Sequence, residues 1–312
     1  LLLGMIASAL VFGWALTDFT PGRLVQVIQG TAVATLVLNG IAMWKQETRR
    51  PPRGAVSTAP DPSFRESWRH FCAGERTVRR LVIVGLGTMA FGMADILLEP
   101  FGGEVLAFSV SATTKLTALF AGGGLVGFAV ASHVLGRGGD PYRLARDAAA
   151  IGVPAFVLVM IAAPTGWPAL FLVGNFLIGF AAALFGHSTL TATMREAPAN
   201  QAGLALGAWG AVQATAAGVA MAASGVLRDT VNAVAPADGV LGQAPAATGY
   251  MSVYALEITL LLVTVVATLP LLARAARRHP AGADHSAADR STLAVEAATV
   301  PPSSGACGKT HS

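Results

Sequence analysis

The sequence predicts an all-α polytopic membrane protein with eight spans, and three observations carry that prediction. Of 312 residues, 54% are hydrophobic and 12% charged, where a soluble domain carries about 25% charge. The apolar residues are gathered into stretches of membrane-spanning length. The basic residues are gathered into alternate connections between those stretches. A soluble fold of this size cannot hide so much apolar surface, because a single core stops growing near about 250–300 residues. A disordered chain would show low hydrophobicity and high charge.

About 20 apolar residues rising about 1.5 Å each cross the hydrocarbon layer. That ruler places spans at 1–16, 24–44, 81–98, 116–135, 144–163, 167–190, 202–227 and 250–273. The sixth and seventh hold no charge; the third holds Asp95 and the eighth Glu257. The fifth opens on Arg146 and Asp147 and is interrupted by Pro154. The chain is apolar from Leu1 on, without a basic leader or a cleavage site. That pattern predicts a start in the middle of a span, with an N-terminal portion missing.

Of the 21 Lys and Arg, 18 fall on one side of the predicted bundle: nine from Lys45 to Arg80, then Arg137, Arg143, Arg146, Arg195 and five in the tail. Arg23, Lys115 and Arg228 fall on the other. The excess of positive charge marks the cytoplasmic side and puts the C-terminus there. The net charge of +4 is therefore a topology signal, and nucleic acid is not expected as a partner. Cys72 and Cys307, far apart in polar segments, form neither a disulfide framework nor a metal site.

One connection, 45–80, is long, basic and rich in proline. It leaves two spans before it and six after it, the organisation of a major-facilitator-like helix bundle built from repeated halves. The expected domains are 1–44, the last two spans of an N-terminal half; 45–80, a cytoplasmic linker; 81–273, a six-span C-terminal half; and 274–312, a disordered tail. Within the linker Ser63 and Glu66 fit a capping box. Phe64, Trp68 and Phe71 follow on one stripe with Arg65 and Arg69 beside it. This is a short amphipathic helix, either lying in the membrane interface or packed on the bundle.

No phosphate-binding loop is present, since Gly122-Gly123-Gly124 lies inside a span without a following Lys-Ser/Thr. No Cys/His pair has metal-ligand spacing, and no catalytic residue or enzymatic step is expected. Charge inside a span is costly and marks function. Asp95 and Glu99, four apart and followed by Pro100 and a turn at Gly102-Gly103, are candidates for taking up a proton or cation, or are a helix end whose acids meet water or bond to neighbouring helices. Glu257 lies on a peripheral last helix and is expected to face a neighbour or partner. His133 and His187 are candidate axial ligands for a magnesium tetrapyrrole, or packed imidazoles. Asn39, Asn175 and Gln213 are candidate amide bridges between helices. Gly203, Gly207, Ala211 and Thr215 form a stripe of small residues that predicts close helix approach. Trp209 and Gln213, also four apart, are candidates for lining the path of a flat apolar ligand.

Three segments make the chain resemble a known family: 85–103 (GLGTMAFGMADILLEPFGG), 200–215 (NQAGLALGAWGAVQAT) and 136–146 (GRGGDPYRLAR). It is similar to the PucC/LhaA family, the bacteriochlorophyll-delivery branch of the major facilitator superfamily, over roughly residues 1–275. The third segment resembles the superfamily's inter-span motif Gly-x-x-x-Asp-Arg/Lys-x-Gly-Arg-Arg at Gly136 and Asp140. It departs from it where Pro141 replaces the basic residue and Arg143 the glycine. The resemblance implies an assembly factor for light-harvesting antenna complexes in a phototrophic bacterium, supplying bacteriochlorophyll as antenna polypeptides insert. It implies a multi-pass protein of the inner, intracytoplasmic photosynthetic membrane. The implied partners are the lipid bilayer, antenna polypeptides, and pigment-synthesis enzymes or the reaction centre. Bacteriochlorophyll is expected as a transient ligand, and no tightly bound cofactor. The competing expectation, motivated by Asp95 and Glu99, is a proton-coupled secondary transporter of a small amphiphile.

Overall fold

The computed structural model describes residues 2–17, 20–43, 63–74, 77–197, 201–235 and 245–278. Most of the expected linker and tail, with Cys307, lies outside the described residues. All regular structure in the described residues is helical: α1 (Leu2–Ala15), α2 (Pro21–Met43), α3 (Phe64–Cys72), α4 (Thr77–Glu104), α5 (Val110–Gly136), α6 (Pro141–Thr165), α7 (Pro168–Glu196), α8 (Ala202–Val234) and α9 (Pro245–Arg278). Seven of these are long and apolar enough to cross a bilayer, which makes the chain a polytopic membrane helix bundle. The first expected span is the shorter apolar helix α1, of 14 residues. The chain divides into two units, Leu1–Leu269 and Pro270–Ser312.

Helix ends follow local chemistry. Ser63 and Ser109 accept the backbone N–H groups of Glu66 and Ala112, capping α3 and α5. Asp140 accepts from the N–H groups of Tyr142 (2.8 Å) and Arg143 (3.4 Å), and Pro141 occupies the first turn of α6. The α5–α6 connection turns through Gly138 at φ +87°, a backbone region open to glycine. Pro154 does not interrupt α6, which runs through it to Thr165. Pro100 likewise lies inside α4, so no turn forms at Gly102-Gly103; the chain turns after Glu104, with Ala107 at φ 56°.

The bundle from α4 to α9 is a repeat of three helices. α5 and α6 pack on α7, while α8 packs on α4. α9 completes the pattern by laying Tyr250 and Tyr254 edge-on against Phe101 of α4. The repeat extends to its polar ends. Tyr250 at the start of α9 donates to Glu104 at the end of α4 (2.7 Å). Tyr142 at the start of α6 donates to Glu196 at the end of α7 (2.8 Å). Outside the repeat, α1 packs on α5, where the Ser111 hydroxyl donates to the Gly13 carbonyl (2.6 Å). α2 buries none of its apolar window among the described residues.

Close helix approach occurs on a different pair from the one the small-residue stripe predicts. A Cβ on Gly123 or Gly127 of α5 would fall 2.1 or 2.2 Å from the carbonyl oxygens of Phe176 and Phe180 on α7. A Cβ on Gly179 would meet the Phe120 carbonyl at 2.1 Å. The α5–α7 seam is thus glycine against backbone from both sides, the contact that lets helices associate in lipid.

Candidate functional site

On α8, Gly203 and Gly207 face open space, as do Ala211 and Thr215. The helix packs instead through Ala205, Ala208, Ala216, Ala220 and Ser224, and Ala220 and Val212 meet Gly92 and Gly85 of α4. The expected close approach along the stripe is therefore corrected. α8 carries small residues on more than one face, and α4 meets the alanine face. What the stripe leaves is a smooth, shallow strip on the outside of the described bundle.

Trp209 and Gln213 lie on another side of α8, toward α7. The Trp209 indole Nε1 donates to the Thr189 hydroxyl (3.3 Å), and Gln213 lies beside Gly186. Thr189 borders a small hollow of about 10 Å³ between α4, α6 and α7, lined by Arg80, Ile83, Val84, Tyr142 and Thr193 among others. Its floor is aliphatic and its rim polar. Glu196 is the hub of that rim, accepting Arg80 Nη1 (2.9 Å) and the Tyr142 hydroxyl. Arg195 next to it donates to the carbonyls of Gly139 (2.9 Å) and Leu135 (2.7 Å). One helix end thereby ties the starts of α4 and α6 to the end of α5. A void needs about 10–15 Å³ on this measure to admit one water. This one has room for a water at most, and not for a tetrapyrrole.

Asp95 and Glu99 differ in their surroundings. Asp95 is exposed on the outside of α4, while Glu99 is half-buried and accepts the Thr117 hydroxyl of α5. His133 is exposed near the end of α5. His187 lies against the Phe128 ring at 4.3 Å between centroids, with Nδ1 buried and without a hydrogen-bond partner. Among the described residues no group of three His, Cys, Asp or Glu could hold a metal ion. In the loop motif Asp140 is the cap of α6, Gly136 has open space around it, and Arg143 is exposed. Pro141, where the motif has a basic residue, starts α6. Of the amides, Asn175 bridges α7 to the Leu116 carbonyl of α5 (2.9 Å). Asn39 is exposed and bonds within its own helix, to Thr35, so it bridges nothing in the described bundle.

Glu257 faces neighbouring helices. It is 0% exposed, as is Tyr254 one turn earlier, and neither carboxylate oxygen nor the Tyr254 hydroxyl has a hydrogen-bond partner. The reason is packing on both sides of the same turn. Phe101 and Phe156 cover Tyr254, and Leu261 fits against Gly152 of α6. The hub at Glu196, the buried pair on α9 and the glycine seam were not anticipated. Only the seam had a sequence signal, Gly-x-x-x-Gly at 123 and 127.

The sequence model of the family described as "PUCC protein" matches residues 1–276. Protein PucC of Cereibacter sphaeroides is 51% identical over 280 residues, 89% of this chain and 60% of that protein. Protein PucC of Rhodobacter capsulatus is 49% identical over 284 residues, again 89% and 60%. Protein PucC of Rhodovulum sulfidophilum is 56% identical over 217 residues, 69% of this chain and 48% of that protein. The chain thus spans about 60% or less of the length of these curated relatives.

Proposed function

Because this chain belongs to the PucC protein family, we propose that it serves the assembly of light-harvesting antenna complexes, handling bacteriochlorophyll within the membrane. The observation that carries the reading is the family match along residues 1–276. The geometry supports an open surface over an enclosed chamber. The pocket beside Trp209 is too small to swallow a macrocycle, whereas the outward strip of α8 presents small residues to a flat or helical partner. Packing between apolar surfaces in lipid rests on close contact rather than on hydrophobic drive, and small residues permit that contact. The three-helix repeat supports the major-facilitator-like reading of residues 81–273 as one half of a larger bundle.

Gly207 tests this reading in a cell that builds antenna complexes, using the full-length protein. Gly207→Leu has open space around it, so the protein should stay abundant while the red-shifted antenna absorption is lost and free pigment accumulates. Gly207→Ala should be nearly silent. A normal antenna spectrum with Gly207→Leu removes the α8 strip from the mechanism. Bacteriochlorophyll absorption in the purified full-length protein tests direct handling of pigment.

A second reading, a proton-coupled transporter of a small amphiphile, draws on Glu257, an unpartnered carboxyl in the membrane interior. Intramembrane carboxyls of this kind serve proton relays. It predicts that Glu257→Gln abolishes proton-driven uptake at unchanged abundance; uptake that survives the change rejects it.

A further inference from the structure

The short helix α3 presents two kinds of surface on one face. Advancing about 100° per residue, Phe64, Trp68 and Phe71 fall within about 60° of one another. Their rings form a ladder, with centroids 6.2 Å apart from Phe64 to Trp68 and 5.9 Å from Trp68 to Phe71. Phe71 is buried against Ala205 and Ala208, with Leu81 and Leu204 packed around it. Phe64 remains 72% exposed and Trp68 38%. The C-terminal turn of α3 therefore rests on the bundle, and its N-terminal turn overhangs the edge.

The depth of that overhang follows from the residues under Phe71. Leu81, Leu204 and Ala205 belong to the first turns of apolar stretches that cross the membrane, so Phe71 marks the boundary between hydrocarbon and headgroups. Phe64 and Trp68 share its face and its direction, which aims them into the same boundary beside the protein. Aromatic rings are enriched at that level. Arg65 and Arg69, both exposed, flank the aromatic face, at about 100° and 140° from Phe64 on the wheel. Glu66 lies on the far side. Arg79, exposed at the start of α4, adds a third cation at this end of the bundle. Two rings are too small for a stable protein interface, which buries about 1,200–2,000 Å². An aromatic edge bordered by arginine fits a leaflet whose surface is negative.

We infer that α3 is an interfacial anchor: Phe64 and Trp68 enter the acyl-chain boundary of an anionic leaflet, and Arg65 and Arg69 meet its phosphates. The inference is independent of what the bundle handles. The test uses the full chain with Cys72→Ser and Cys307→Ser, carrying a single spin label at Phe64→Cys, Trp68→Cys or Glu66→Cys. Each protein is reconstituted into vesicles of phosphatidylcholine alone, or of phosphatidylcholine with phosphatidylglycerol.

Labels at 64 and 68 should be relaxed more by oxygen, which concentrates in lipid, than by a water-soluble nickel chelate. The label at 66 should show the reverse preference. Phosphatidylglycerol should deepen the labels at 64 and 68, and Arg65→Gln with Arg69→Gln should cancel that gain. Labels at 64 and 68 reached best by the nickel chelate would place this face in water and overturn the inference. Labels immobilised and reached by neither reagent would assign the face to a second copy of the chain or another protein, and overturn it equally. A depth insensitive to phosphatidylglycerol would remove the anionic part.

Discussion

Gly123→Ala should pry α5 from α7. The new Cβ would fall 2.1 Å from the Phe176 carbonyl oxygen and 3.0 Å from the Phe180 nitrogen. Ordinary carbon–oxygen contacts at helix interfaces lie at about 3.3–3.6 Å, so the helices must separate by about 1 Å. The obstacle is backbone, and no side-chain rotation relieves it. A gap of about 0.5–1 Å forfeits a quarter to a half of each dispersion contact along a seam. Overpacking of this kind costs about 1–3 kcal/mol. The Asn175 amide, 2.9 Å from the Leu116 carbonyl across the same seam, would be stretched as well, at a cost of about 0.5–1.5 kcal/mol. Together these give roughly 2–4 kcal/mol. At about 2–4 °C per kcal/mol for a unit of this size, the midpoint of thermal unfolding in detergent should fall by roughly 5–15 °C. Gly207→Ala, with nothing within 4 Å of its Cβ, is the control and should melt with the wild type. A Gly123→Ala protein that melts with the wild type would refute the seam.

Five further outcomes follow from the same geometry. Tyr142→Phe removes a hydroxyl donor to Glu196 and should lower stability by about 1.5–3 kcal/mol, the range for hydrogen bonds to charged groups. Glu196→Ala should cost more, because it strips the partners of Arg80 and Tyr142 together; equal melting of the two variants would deny the hub. Glu257→Leu should leave thermal stability unchanged or raise it, since an unpartnered buried polar group costs about 1–3 kcal/mol, and a clear loss of stability would show a partner. Asp140→Ala should destabilise by about 0.5–2 kcal/mol through the lost cap, measurable in the same melting assay. Reporter fusions at Arg195 and Asp229, which lie near opposite ends of α8, should score on opposite sides of the membrane, with Arg195 cytoplasmic; matching signals would break the alternation of spans.

What was legible in the sequence is what depends on one helix at a time. Span positions follow from the length of apolar runs, and the cap at Ser63 from short-range chemistry. Such features survive whatever the neighbours are. The side of each helix that meets another was decided only in the tertiary structure. In water, apolar residues turn inward and polar ones outward, so a periodic sequence declares its buried face. In lipid the surroundings are as apolar as the interior, and hydrophobicity no longer distinguishes the two faces. Gly123 with Gly127 and Gly203 with Gly207 are the same four-residue pattern. The first pair is pressed against α7 and the second is open, because α7 offers bare carbonyls to α5 whereas α4 meets the alanine face of α8. The acids follow the same logic. Asp95, Glu99 and Glu257 are each a carboxyl within an apolar helix. Only packing exposes Asp95, gives Glu99 the Thr117 hydroxyl, and closes α4 and α6 over the turn that carries Glu257.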